Sequence, residues 1–106
     1  MLPRVRYEKR RIEVDWVLAQ LERFTLGERD TYLRALVAVL PQSVTKALLV
    51  LQEQFVGSDE QFREEQNHVL RTAVNLTRTP VGREVRRREN LVEVLEYIEI
   101  DMPVFE

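Results

Sequence analysis

The sequence predicts an all-α fold, a single-domain antiparallel bundle of four to five helices. Three observations carry that prediction. Apolar residues recur at three- and four-residue steps through most of the chain, the spacing of one helix face. Capping signals bracket those stretches, notably Ser58 with Gln61 and Thr79 with Pro80. The breaks between them are a few residues long, which suits antiparallel neighbours. With 106 residues, 44% apolar and 32% charged, the chain fits one helical domain, 1–106, whose core needs no staples. Residues 1–11 form its basic N-terminal segment and 103–106 a short tail.

The first helix is expected from Ile12 to Phe24, where Val14, Val17, Leu18 and Leu21 share a face opposite Glu13, Asp15 and Glu22. "TLGERD" breaks it, and Asp30 or Thr31 can cap a second helix from about Arg29 to Leu40. Pro41 disfavours helical geometry at Leu40 and suits a first helical turn, so a third helix begins at Pro41. It carries Val44, Leu48, Leu51 and Phe55 and should stop at Gly57, as a left-handed cap. Ser58 and Gln61 then form a capping box, and Asp59 and Glu60 suit the positive end of the next helix. This fourth helix runs from Asp59 to about Thr77 and is expected to bury Phe62, Val69, Leu70, Ala73 and Val74, with Leu76 as a further candidate. Thr79 caps a fifth, whose stripe of Val85, Leu91, Val92, Leu95, Ile98 and Met102 lasts until Pro103. One alternative stands for the two ends. "VEVLEYIEI" is rich in β-branched residues and partly alternates, and so does "RVRYE". A short terminal two-strand pairing would match basic side chains to acidic ones.

From Ala35 to Leu51 the only charged residue is Lys46, so both helices around Pro41 are apolar in nearly every direction. Either the rest of the bundle covers this hairpin, or one side stays open as an interface. The interface reading takes Leu36, Val39, Leu40, Val44, Leu48 and Leu51, with Trp16 as an anchor. Its partners are a second copy, as a homodimer, and another protein.

Charge is clustered rather than excessive, since the net charge is only −2. Arg4, Arg6, Arg10 and Arg11 lie in the first eleven residues, Arg83, Arg86, Arg87 and Arg88 lie near position 85, and residues 91–106 hold acids alone. Such arginines could contact nucleic acid, although Glu84 and Arg88 have the spacing of a helical ion pair. "YLRALVAVLPQSVTKALLVLQ", residues 32–52, resembles the first half of a sigma-factor region 4 domain. The resemblance implies a helix-turn-helix after it. "SDEQFREEQNHVLRTAVNL" departs from that pattern: it reads as one continuous helix with acidic first turns.

Catalytic signals are sparse. The absence of cysteine excludes disulfides, thiolate chemistry and cysteine-based metal sites. Ser43 and Ser58 are the only serines, and both start helices. Glu65 and His68 have the Glu-x-x-His spacing of di-iron bundles, but a single histidine leaves the set incomplete within one chain. No catalytic residue, metal or cofactor is expected. The longest apolar run, Ala35 to Leu40, is too short for a membrane span, and "MLPRVRYEKRR" has no signal-peptide core. The expectation is therefore a cytoplasmic, non-enzymatic protein–protein interaction module, an adaptor or regulator. A nucleic-acid-associated factor is the alternative.

Overall fold

The computed structural model describes residues 4–91 and 95–105, and in it the two ends of the chain pair with each other. Strand β1 (Val5–Glu13) leads into a short helix α1 (Val14–Ala19). Helices α2 (Leu26–Ala38), α3 (Gln42–Gln54), α4 (Asp59–Thr77) and α5 (Pro80–Arg88) follow, and strand β2 (Tyr97–Phe105) closes the chain. The all-α class is thereby corrected: the fold is mixed α+β, with five helices and a two-stranded antiparallel sheet among the described residues. The terminal pairing, expected only as a short alternative, extends over nine rungs from Val5↔Phe105 to Glu13↔Tyr97.

The pairing has a physical cause in both strands. In β2 the residues Ile98, Ile100, Met102 and Val104 recur with period two, and the first two are buried while the last two are half-buried. Residues opposite each other in an antiparallel pair share a face. Ile12 therefore joins Ile98 on the inward side. On the outward side Lys9 faces Asp101 and Arg11 faces Glu99. The helical steps expected through Leu95, Ile98 and Met102 give way to a strand from Tyr97 onward, and Val92 of the same stripe lies outside the described residues.

The fifth helix ends early for a local reason. Asn90 adopts φ 57°, a left-handed conformation that asparagine tolerates better than most residues. The Asn90 amide donates to the Arg87 carbonyl (3.1 Å) and the Leu91 amide to the Arg86 carbonyl (2.9 Å), which together make a Schellman turn. The Val14 amide donates to the Glu96 carbonyl (2.8 Å), joining the end of β1 to the start of β2.

Other boundaries vary in their agreement. The fourth helix begins as expected, with Ser58 and Gln61 in a reciprocal capping box, and Thr79 caps α5 with Pro80 in its first turn. The second helix starts earlier than Arg29, because Thr25 and Glu28 form a capping box in place of Asp30 or Thr31. Ile12 and Glu13 are strand and the first helix stops at Ala19 instead of Phe24, with Gln20 as its cap, which leaves it six residues. The third ends at Gln54 with Phe55 in extended geometry, so Gly57 lies in the following turn and is not the cap.

The core runs through Val14, Val17, Leu21, Leu36, Leu70, Val74 and Ile98. Helix α2 packs on β2, while α3 packs on α4. The two apolar helices around Pro41 thus diverge to cover different neighbours instead of lying along each other. That divergence accounts for much of their surplus of leucine and valine.

Candidate functional site

Helix α4 has α3 on one flank and α5 on the other, and the three do not close over it. Between them lies an open groove of about 380 Å³. Its α3 wall is Ser43, Val44 and Ala47; its floor on α4 includes Val69, Thr72 and Ala73; Gly82 and Val85 line it from α5. Leu76 rises from the floor's far end with 61% of its surface exposed, and Val85 is 37% exposed. Val50 continues the α3 wall one turn further and is also exposed. The lining contains one titratable side chain, His68, which is exposed. The rest is apolar or neutral.

Two contacts hold α5 where it leaves the groove open. A Cβ at Gly82 would sit 2.1 Å from the Leu76 carbonyl oxygen, so only glycine permits α5 to start this close to the end of α4. The Thr79 hydroxyl tightens the same corner, donating to the Leu76 carbonyl (2.6 Å) and accepting from the Gly82 amide (3.1 Å). Further along, Arg86 is fully buried and donates from its guanidinium to the Val39 carbonyl at the end of α2. Burial lowers its pKa. Its aliphatic stem packs inside while its charged head satisfies a carbonyl.

The residues expected at an interface are dispersed by the fold. Leu36, Leu40 and Val44 are core residues of the single chain; Val39, Leu48 and Leu51 are half-buried. Val44 alone among them lines the groove. What the Pro41 hairpin leaves outside is Ala38, Ala47, Leu49 and Val50, one to three positions away. Trp16 is half-exposed in an aromatic cluster elsewhere. It meets Phe24 and Tyr32 edge-on at 5.9 and 5.7 Å, and those two rings stack at 4.4 Å.

The arginines are dispersed too. Arg86 is inside and cannot meet a phosphate. Arg87 and Arg88 both reach Glu84, at 2.5 and 3.5 Å, and the hydrogen bond from Arg87 holds the Glu84 carboxyl below its usual range. Arg83 is exposed on α5. On the ribbon, Arg6 pairs with Glu8 (3.2 Å) and Arg11 lies over the Tyr97 ring (4.3 Å); Arg4 and Arg10 are exposed. Helix α4 is continuous over nineteen residues, so the helix-turn-helix implied by residues 32–52 does not form.

Sequence reasoning missed the groove and found its neighbourhood. Thr72 and Leu76 belong to α4 and Gly82 and Val85 to α5, and no local pattern encodes how far apart those helices stand. A second hollow of about 370 Å³ lies between α2 and α4, where Arg29, Asp30, Asp59 and Arg63 mix both signs of charge. Among the described residues, no helix is long and apolar enough to cross a membrane, and no three His, Asp or Glu side chains converge as a metal site. No protein-family model matches the chain, and no curated protein or solved structure matches it significantly.

Proposed function

We propose that this chain is a non-catalytic protein–protein interaction module that seats an amphipathic helix of another protein in the α3–α4–α5 groove. The observation that carries this reading is an apolar trough that the chain's own helices leave open, flanked by Leu76 and Val85. Small side chains at Ser43, Ala47, Ala73 and Gly82 let a visiting backbone come close, and the larger Val69, Leu76 and Val85 supply contact area. With a single titratable group in the lining, the trough suits the apolar face of a helix better than a charged ligand. The alternative, nucleic-acid binding through arginines, draws little support from Arg86 inside the fold and Arg87 and Arg88 on Glu84.

The test is selection from a displayed library of amphipathic helical peptides, followed by methyl chemical-shift mapping of the best binder. Shifts at Val44, Val69, Leu76 and Val85, and loss of at least about tenfold in affinity in Leu76→Asp, are expected. Leu76 is mostly exposed, so that substitution leaves the fold intact. Binders that shift other methyls, or that ignore Leu76→Asp, overturn the reading.

A further inference from the structure

The outward face of the β1–β2 ribbon has a composition that a solvated face does not need. Residues opposite each other share a side, so Val5, Tyr7, Lys9, Arg11 and Glu13 lie on the face of Phe105, Pro103, Asp101, Glu99 and Tyr97. A one-sided antiparallel sheet ordinarily turns polar residues to water. Here the two outermost rungs, Val5↔Phe105 and Tyr7↔Pro103, put four apolar side chains together at the tip. Val5, Tyr7 and Phe105 are 44%, 68% and 70% exposed. The next two rungs form a basic column on β1, Lys9 and Arg11, beside an acidic column on β2, Asp101 and Glu99.

We propose that two copies of this chain pair through these outward ribbon faces, about a two-fold axis parallel to the strands. That axis lays β1 of one copy over β2 of the other at the same height. Lys9 and Arg11 of each copy then meet Asp101 and Glu99 of the other, and the two apolar tips cover each other. A two-fold axis across the strands would place β1 over β1 and β2 over β2, basic column against basic and acidic against acidic, so charge selects the first arrangement. The same charges disfavour symmetric pairing at the open strand edges. There β1, with four basic residues against two acidic ones, would meet a second net-positive strand, and β2 would meet β2 at Pro103, which has no amide hydrogen. The shape fits a projecting arm. The radius of gyration is 15.4 Å, against about 13 Å for a compact domain of this length. A two-stranded ribbon is marginal in water, and its distal half gains from cover.

This inference is independent of the α3–α4–α5 groove. Ten outward residues a side make a small interface, so the dimer is expected to form in the micromolar range. Sedimentation velocity of the full chain across concentration, with complementation in trans, provides the test. Lys9→Glu alone sets Glu against Asp101, and Asp101→Lys alone sets Lys against Lys9. Each variant should dissociate at least about tenfold more readily than the native chain. An equimolar mixture restores both contacts between unlike chains and should recover the dimer, which no effect inside one chain can do. Should either variant unfold by circular dichroism, the exposed Tyr7→Lys weakens the tip instead, and Leu76→Asp should leave the dimer untouched. A native chain that stays monomeric at high micromolar concentration overturns the proposal. So does a dimer indifferent to Lys9→Glu and Tyr7→Lys, or a mixture no more associated than its components.

Discussion

Arg29 and Arg86 are arginines that the fold has taken inside. Arg29 donates to the Leu21 carbonyl (2.9 Å), to Gln66 Oε1 (2.8 Å) and to Asn67 Oδ1 (2.5 Å). One fork thereby ties the turn after α1 to the middle of α4. Burial, chiefly, and the nearby Arg63 lower its pKa below the ordinary arginine value. A similar tie lies one turn along the same face of α4. Arg71 bridges Glu22 (2.8 Å) and the Leu18 carbonyl, and its hydrogen bond to Glu22 lowers that carboxyl's pKa. None of this was legible in the sequence, because the acceptors come from residues eight to fifty-three positions away and period and charge pattern are silent about them. Arg86 read as a phosphate contact for the same reason. Arg29→Lys keeps the charge but cannot span three acceptors in one plane. It should cost about 2 kcal/mol, seen as a lower urea midpoint with unchanged slope. A change within about 0.5 kcal/mol, the range of ordinary surface substitutions, would show that the fork is dispensable.

Among the elements, helix starts were easier to read than helix ends. Ser58 with Gln61 and Thr79 with Pro80 signal within three residues, and both helices begin where those signals stand. The end of α5 depends on Asn90 taking a left-handed turn, and nothing in "RREN" distinguishes a cap from a solvated helix face. Once that turn is made, the residues beyond it are free to alternate as a strand. The start of the chain shows the matching case: "RVRYE" has its partner nearly a hundred residues away. Asn90→Gly should hold or raise the melting temperature, because glycine adopts this conformation without penalty. Asn90→Val should cost about 1–2 kcal/mol, because a β-branched side chain is strained there. Thermal denaturation separates the two, and equal melting temperatures would mean that the turn does not decide where α5 stops.

For the whole molecule, the ribbon belongs to the core at its base and leaves it toward its tip. Ile98 and Ile100 are buried beneath α2, Met102 and Val104 are half-buried, and Phe105 is exposed. The strands are therefore held by helical packing at one end and mostly by cross-strand contacts at the other. This predicts a gradient of truncation costs that no helical reading of the same segment produces. Ile98→Ala should cost about 3 kcal/mol, the range for a fully buried aliphatic side chain that leaves a cavity. Met102→Ala should cost under about 1 kcal/mol, because solvent already reaches the site. In the all-α bundle, Leu91, Leu95, Ile98 and Met102 would share one helix face, and their truncations would cost similar amounts. Chemical denaturation of the two variants in dilute solution distinguishes the architectures. A steep fall from Ile98 to Met102 follows from a ribbon anchored only at its base, whereas near-equal costs would restore the helix. Met102 pairs with Glu8 on the inward side, away from the face proposed to meet a second copy, so the gradient should be the same at low and high concentration. A gradient that flattens with concentration would instead put the inward side of the ribbon at the contact between copies, against the outward pairing that the charge-swap mixture tests.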